Sequence, residues 1–208
     1  MNNESYYGAI RDQIFRMKEG SVVAMKDFES VATYDSIRKT LSRLCELKLI
    51  VRIVPGIYCV LLGADAVFPH PLEVIHALAR NNDWTVVPGT ERARYLLGLR
   101  GDEPETYEFF SSGPTSHHSY QGINIVFRHQ GNKFLTSMSY KSALITSALW
   151  DLQNHKVTAN EVALISNKLE EKEIQQLMTD CKYAPPRLRC VLEIICGDYG
   201  PQSPRKSE

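Results

Sequence analysis

The stretch that decides the fold covers residues 33–62 and reads TYDSIRKTLSRLCELKLIVRIVPGIYCVLL. Its first half predicts a helix capped by the leading threonine, Thr33, at its N-terminus. Ile37, Leu41 and Leu44 recur at helical spacing and therefore form one apolar stripe along that helix. The second half predicts two β-branched strands joined by a tight Pro-Gly turn. We expect this helix and hairpin to organise the rest of the chain.

The helix face opposite the apolar stripe is basic and carries hydroxyl groups. At about 100° per residue, four polar side chains project away from the stripe. They are Arg38, Lys39, Ser42 and Arg43. Over residues 34–54 five side chains are basic and two are acidic, so positive charge is concentrated here although the whole chain has a formal net charge of zero. Such a face suits a helix that lies in the major groove of DNA.

The elements around this helix predict a winged helix-turn-helix. A short helix over residues 25–31, with Phe28 and Val31 inward, ends a few residues before the capped helix begins. An earlier helix over residues 3–18 would complete the core, and Gly20 would end it. Its inward side chains are Tyr7, Ile10, Ile14 and Phe15. A plainer interpretation is an ordinary surface helix followed by a hairpin, since surface helices usually carry charge on one face.

The two strands, residues 49–54 and 57–62, would form the wing. Arg52 and the Pro55-Gly56 tip lie on this hairpin, where a wing meets the nucleic-acid backbone. The order of two helices, a hairpin and a tight turn favours DNA recognition over the plainer interpretation.

Composition restricts the class of protein further. With 208 residues and 43% hydrophobic content, the chain can form one ordinary domain or two small ones. Its five cysteines are an odd number without a Cys-x-x-Cys pair, which indicates reduced thiols in a cytoplasmic protein. No apolar run approaches the roughly 20 residues needed to span a bilayer, so we expect no membrane role.

We predict an α+β fold, in which the N-terminal winged helix-turn-helix is followed by a mixed α/β domain with a helical C-terminal part. The boundaries are residues 1–62 for the first domain, 63–71 for a linker, 72–200 for the second domain and 201–208 for a flexible tail.

The second domain should begin with a helix over residues 72–81 and a strand over 84–87. Thr90 would cap the next helix, which Gly98 would end. Strands over residues 106–110 and 123–128 would be joined by a polar hairpin connection. Several helices follow, one of them opened by a Thr158 to Glu161 capping box.

Three alternatives involve chemistry in the second domain. His117, His118 and His129 would have to converge on zinc, but adjacent histidines point in different directions. A metal-dependent nuclease would use the carboxylates of Glu91, Asp102, Glu103 and Glu105, which a solvated surface also explains. A ligand-responsive transcription factor without a toxin partner would line a pocket with Trp84, Tyr95 and Tyr107, although such aromatics more often belong to a core.

No nucleophile elbow, Walker loop, dinucleotide fingerprint or zinc-protease helix is present. The residues therefore favour a binding protein that is not an enzyme and needs no metal or cofactor.

Several segments together resemble the AbiEi family of bacterial antitoxins. In the first domain they are residues 23–28 (VAMKDF), 37–44 (IRKTLSRL) and 50–58 (IVRIVPGIY). In the second they are residues 84–89 (WTVVPG), 93–99 (ARYLLGL), 107–114 (YEFFSSGP) and 123–129 (INIVFRH). The resemblance covers roughly residues 6–150 and rests on pattern and order.

The resemblance implies a cytoplasmic, autoregulating antitoxin of a type IV toxin-antitoxin pair. Its winged helix would bind inverted repeats in the double-stranded DNA of its own promoter, and its partner would be a nucleotidyltransferase-like toxin. We expect a homodimer, or two monomers that meet on the DNA, to occupy these repeats and so repress the promoter. The implied DNA contacts are Arg38, Lys39, Ser42 and Arg43 on the recognition helix, Arg52 on the wing, and Tyr34 and Ser36 at the N-terminal end of the helix.

Overall fold

A computed structural model of the chain describes residues 3–61, 67–131, 133–151 and 157–197. Over these residues nine α-helices and two small sheets form, which is an α+β composition. The chain divides into two compact units: Met1–Trp84 with His118–Ile123, and Thr85–His117 with Asn124–Glu208. The expected tail, residues 201–208, and the first four residues of the expected linker, residues 63–66, lie outside the described residues.

The first unit combines helices with a three-stranded antiparallel sheet. Its elements are α1 (Asn3–Phe15), β1 (Val22–Ala24), a 3₁₀ turn (Met25–Phe28), α2 (Tyr34–Glu46), β2 (Ile50–Val54), β3 (Ile57–Val60) and α3 (Pro71–Asn81). The strand order is β1-β3-β2. Val54 pairs with Ile57 across the Pro55-Gly56 turn, and Gly56 has φ +80°, a backbone conformation that glycine adopts without a steric penalty.

The apolar stripe of α2 is the centre of the first core, as the sequence predicts. Ile37, Leu41 and Leu44 are at most 1% exposed. They pack in one cluster with residues of α1, the 3₁₀ turn and the sheet. Those partners include Ile10, Ile14, Val23, Phe28, Ile50, Tyr58 and Val60. The stripe therefore fixes α2 with its polar face outward.

Two of the sequence predictions for this unit are wrong. The expected helix over residues 25–31 is a single 3₁₀ turn, Met25–Phe28, which buries Met25 and Phe28 and is joined to α2 by the turn residues 29–33. Phe15 was expected to face inward but is 48% exposed. It lies about 100° around the helix from Ile14, which already occupies the inward position.

The short strand β1 was missing from the predicted elements. It pairs with β3 and makes β3 the central strand of the sheet, so all four residues of β3 are buried. Three residues of strand carry too little periodicity to be recognised in the sequence.

Helix α3 belongs to the first unit, although the sequence analysis assigned it to the second domain. It packs on β1, β3 and the 3₁₀ turn. Arg80 donates two hydrogen bonds to the carboxylate of Asp27, at 2.7 and 3.0 Å, and this interaction raises the pKa of the arginine. The backbone N–H of Lys26 donates to Asn81 Oδ1 at 3.3 Å, and the Lys26 ammonium pairs with Asp83. These contacts tie the C-terminal end of α3 to the turn that precedes α2.

The second unit contains most of a four-stranded sheet and a set of helices. Its elements are β4 (Val86–Pro88), α4 (Thr90–Leu96), β5 (Tyr107–Ser111), β6 (Ser116–Tyr120), β7 (Ile123–His129), α5 (Phe134–Ser137), α6 (Tyr140–Ala148), α7 (Ala159–Ser166), α8 (Glu171–Asp180) and α9 (Pro186–Gly197). The strand order of this sheet is β4-β5-β7-β6, and β6 falls partly in each unit.

The expected hairpin between the strands at residues 106–110 and 123–128 does not form. Strands β5 and β7 are parallel neighbours, and the additional strand β6 lies between them in sequence. Gln121 and Gly122, both at positive φ, connect β6 to β7.

The N-cap of α4 also differs from the one predicted, because Gly89 is the N-cap and Thr90 is the first helical residue. Gly98 ends that region at φ +71°, as predicted.

The helices of the second unit share an apolar core contributed by α4, α6, α7, α8 and α9. The predicted capping box is present, since Thr158 and Glu161 exchange hydrogen bonds at the start of α7.

All five cysteines are free thiols. Within the ranges described, no helix combines the length and the apolar character needed to cross a bilayer.

Asp180 links the end of α8 to the start of α6. It is 2% exposed and accepts hydrogen bonds from the backbone N–H of Ser139 and from the Gln176 amide, both at 2.9 Å. Burial raises its pKa, but these hydrogen bonds and one from Ser142 outweigh that effect, and the pKa lies below its usual value. The ionised carboxylate is therefore the form that stabilises this part of the unit.

The ion pair between Asp27 and Arg80 should couple α3 energetically to the 3₁₀ turn. The Arg80 and Asp27 side chains are 48% and 24% exposed, so solvent screens the interaction. We expect a coupling free energy of about 0.5–1 kcal/mol in a double-mutant cycle of Asp27→Ala and Arg80→Ala. Urea denaturation measures it, with Arg16→Ala as the control for loss of an exposed arginine. Additive effects of the two changes would show that α3 is not held by this pair.

Asp180 should make the stability of the protein depend on acidity. Because its folded pKa is depressed, its stabilising effect is present above the unfolded pKa and is lost as the pH falls through the folded value. Replacing Asp180 with Asn should lower the free energy of unfolding at pH 7 by about 1–3 kcal/mol.

The Asp180→Asn protein should also lose less stability than the wild type when the pH is lowered from about 5 to about 3. Urea titrations at several pH values measure both quantities, with the exposed Asp102→Asn as the matched control. An acid profile identical to that of the wild type would contradict this assignment.

Candidate nucleic-acid interface

A groove of about 860 Å³ runs along the first unit between α2 and the β2–β3 hairpin. Helix α2 contributes Tyr34, Arg38 and Ser42, and the hairpin contributes Arg52 with the Pro55-Gly56 tip. Four of the seven residues predicted from the sequence to contact DNA therefore line one groove. They are Tyr34, Arg38, Ser42 and Arg52.

The packing of the apolar stripe explains which predicted residues enter the groove. With the stripe buried, Arg38 and Ser42 project towards the hairpin, and we call this side of α2 the hairpin flank. Arg43 lies five residues after Arg38. At about 100° per residue this is one full turn plus about 140°, so Arg43 projects to the other side of the helix. Its guanidinium lies 4.5 Å from the centre of the Tyr7 ring of α1, and we call this side the α1 flank.

Lys39 and Ser36 complete the predicted set. Lys39 is exposed on α2 between the two flanks. Ser36 is half-buried, and its hydroxyl accepts a hydrogen bond from Thr33 Oγ1 at 3.1 Å. Asp35 and Glu46, at the two ends of α2, are also exposed, so the outward surface carries both signs of charge with the basic residues in the middle.

The basic side chains of α2 and the hairpin differ in their charge environment from four arginines of the second unit. Among the residues that the structure describes, Arg38, Lys39, Arg43 and Arg52 have no carboxylate within ion-pair distance. In the second unit four arginines each pair with a glutamate. These pairs are Arg92–Glu103, Arg94–Glu161, Arg100–Glu91 and Arg128–Glu108. Among the described residues, α2 and the hairpin therefore bring together four basic side chains that have no carboxylate partner.

Among the ionisable groups in the wall of the groove, Glu29 is an exposed carboxylate that offsets part of the positive charge, whereas Cys45 and Tyr58 add no negative charge. Burial raises the pKa of the Cys45 thiol, although the backbone N–H and the charge of Arg52 partly oppose the effect. Burial also raises the pKa of the Tyr58 hydroxyl. Both groups therefore stay protonated and neutral near pH 7.

The structure adds groove residues that the sequence analysis did not select. Lys26 follows β1 and Asn81 ends α3, and both line the groove beside the hairpin tip. Their hydrogen bond spans 55 positions in the chain, so no local sequence signal could have brought them together. Tyr7 was expected only as a core residue, yet its ring also contacts Arg43.

The acidic residues of the nuclease alternative line a cleft of about 700 Å³ in the second unit. Glu91 pairs with Arg100, and Glu103 lies 3.0 Å from Arg92 Nη1. Arg92 is 4% exposed and also lies 4.0 Å from the centre of the Tyr107 ring. In the part of the chain covered by the structure, no three histidine, cysteine or acidic side chains are arranged to hold a metal ion.

The remaining alternatives can be placed on the structure as well. His129, the last residue of β7, has its Nδ1 2.9 Å from the carbonyl oxygen of Gly113, so one of its ring nitrogens is engaged by the connection between β5 and β6. Trp84 belongs to the first unit, whereas Tyr95 and Tyr107 belong to the second. Tyr107 is buried, as expected for a core aromatic residue.

Comparison with known proteins gives a family but no function. A family model described as "Family of unknown function (DUF6088)" matches residues 9–177, which include parts of both units. No curated protein matches the chain.

Proposed function

The chain belongs to the DUF6088 family of unknown function, and from the geometry of its first unit we propose that it is a transcriptional regulator that binds double-stranded DNA. The observation that carries this proposal is the set of basic side chains on α2 and the hairpin that have no carboxylate partner within the described part of the chain. DNA phosphates would supply negatively charged partners for those side chains.

The proposed binding element is a winged helix-turn-helix. The order α1, β1, 3₁₀ turn, α2, β2, β3 supports this interpretation, with α2 as the recognition helix and the hairpin as the wing. Helix α2 has 13 residues and is therefore about 20 Å long, sufficient to cross a major groove. The groove beside it would receive one phosphate strand between Arg38 and Arg52.

Binding would release counterions from the DNA and would therefore weaken as salt increases. Two protomers on an inverted repeat would place their α2 helices in successive major grooves about 34 Å apart. Occupation of a promoter by such a dimer would repress transcription.

The resemblance of several segments to AbiEi antitoxins supports a more specific role. In that proposal the protein represses its own operon and neutralises a nucleotidyltransferase-like toxin encoded beside it. The winged helix would carry the repression, and the second unit would carry the neutralisation.

Loss of Arg38 or Arg52 should weaken DNA binding without changing the fold, since both side chains are exposed. We expect each alanine variant to bind a 30-base-pair duplex about 3- to 10-fold more weakly. The slope of log affinity against log salt concentration should also become less steep by about 0.9, the value for one phosphate contact. The probe is the DNA upstream of the gene, measured by fluorescence anisotropy against a scrambled duplex. Lys172→Ala, which removes an exposed cation of α8, is the control for net charge.

If the wild-type protein binds neither duplex at low salt, the proposed function is wrong. Binding that is equally strong in the wild type and in a combined Arg38→Ala, Arg52→Ala variant would also reject the proposed interface.

The antitoxin role is tested by co-expression with the gene that neighbours its own. We expect the neighbouring gene alone to arrest growth and the full-length protein to restore it. The Arg38→Ala, Arg52→Ala variant should restore growth too, because neutralisation is assigned to the second unit, but it should no longer repress a reporter driven by the operon promoter. Failure of the wild-type protein to restore growth would reject the antitoxin role and leave the regulator proposal standing.

A further inference from the structure

The outward face of α2 presents basic side chains on two opposite sides. Arg38 lies on the hairpin flank, and Arg43 lies on the α1 flank about 140° around the helix. A helix in a major groove about 12 Å wide has a phosphate strand on each side. The two flanks therefore have the spacing needed to face both strands at once.

Helix α1 contacts the side of α2 that lies away from the hairpin. The ring of Tyr7 packs partly on the first core, and its centre lies 4.5 Å from the guanidinium carbon of Arg43. Arg11, one turn further along α1, lies 6.0 Å from the same ring but is already bound to Asp12, at 2.8 Å. Of these two arginines, Arg43 has no carboxylate partner among the residues the structure describes.

An aromatic ring under a guanidinium group restricts the arginine without consuming its hydrogen-bond donors. The planar group stacks on the ring face, while its N–H groups point outward in the plane and can still bind a phosphate. Holding the side chain in this way before binding reduces the conformational entropy lost on DNA. The contact therefore prepares Arg43 for an anionic partner.

We propose that α1 forms part of the DNA interface, with Tyr7 as a positioning residue that holds Arg43 against the phosphate strand opposite the hairpin. This inference rests on the proposed DNA-binding function and extends it. Arg38 and Arg52 contact one strand, and Arg43 contacts the other. Lys39, which lies between the flanks, and Ser42, which lies on the hairpin flank about 40° around the helix from Arg38 on the side of Lys39, are then directed at the base edges and determine sequence preference.

The test compares four variants of the full-length protein on the same labelled 30-base-pair duplex. Arg43→Ala should weaken binding about 3- to 10-fold and reduce the salt dependence by about one phosphate contact. Tyr7→Leu, which keeps an apolar side chain on the core, should weaken binding about 2- to 5-fold through loss of the cation–π contact. Tyr7→Phe keeps the ring and should bind as the wild type does. In the Arg43→Ala background, Tyr7→Leu should cause no further loss.

A second measurement separates base reading from phosphate binding. Selection from a duplex library with a randomised centre should return a changed sequence preference for Lys39→Ala and an unchanged preference for Arg43→Ala. If Arg43→Ala alters the preferred bases instead, Arg43 is a reading residue and the proposed division between the flanks is wrong.

The outcomes of this test are distinct from failure of the proposed function. Absence of duplex binding by the wild type rejects the function itself. If the wild type binds the duplex and neither Arg43→Ala nor Tyr7→Leu weakens that binding, only the role of α1 is rejected.

If Tyr7→Phe weakens binding as much as Tyr7→Leu does, the effect comes from the hydroxyl group, and the stacking of Arg43 on the ring is not its cause. If thermal melting shows that Tyr7→Leu is unfolded, Arg43→Lys replaces it, and wild-type affinity of that variant would count against the stack.

Discussion

Burial of the apolar stripe of α2 is the interaction on which the rest of the first unit depends. Ile37, Leu41 and Leu44 are almost fully enclosed by α1, the 3₁₀ turn and the sheet. Complete burial of such side chains contributes about 1.5–3 kcal/mol each. Because a helix cannot turn its stripe inward without turning the opposite face outward, the same packing places Arg38, Lys39 and Arg43 at the surface. Stability and the candidate interface thus have one physical origin.

The surroundings of α2 determine what its exposed residues can do. The hairpin on one side creates a groove that brings Arg52 near Arg38, and α1 on the other side places Tyr7 beside Arg43. Helix α3 holds the turn before α2 through the bidentate contact of Arg80 with Asp27. In the second unit, by contrast, four arginines pair with glutamates, and Arg187 and Arg189 donate to backbone carbonyl oxygens, which is typical of residues that stabilise a fold. This contrast in charge compensation supports assigning nucleic-acid binding to the first unit.

Local patterns predicted the elements whose signals are contained in a few neighbouring residues. The stripe of α2, the Pro55-Gly56 turn, the end of α4 at Gly98 and the capping box at Thr158 all formed as expected. The predictions that required more than a local signal were less successful. The strand β1 is too short to show a period, and the expected hairpin between β5 and β7 is a parallel pair. Strand pairing depends on contacts between distant residues, which a single sequence does not reveal.

By itself the sequence determined which residues of α2 are apolar and which are basic, and hence which face of that helix is buried. Only the tertiary structure decided how the basic face is divided between the hairpin flank and the α1 flank. It also decided that α3 packs with the first unit and that Lys26 and Asn81 join the groove. The physical reason is that helical periodicity is set by neighbouring residues, whereas the partner of each side chain is set by packing between elements far apart in the chain.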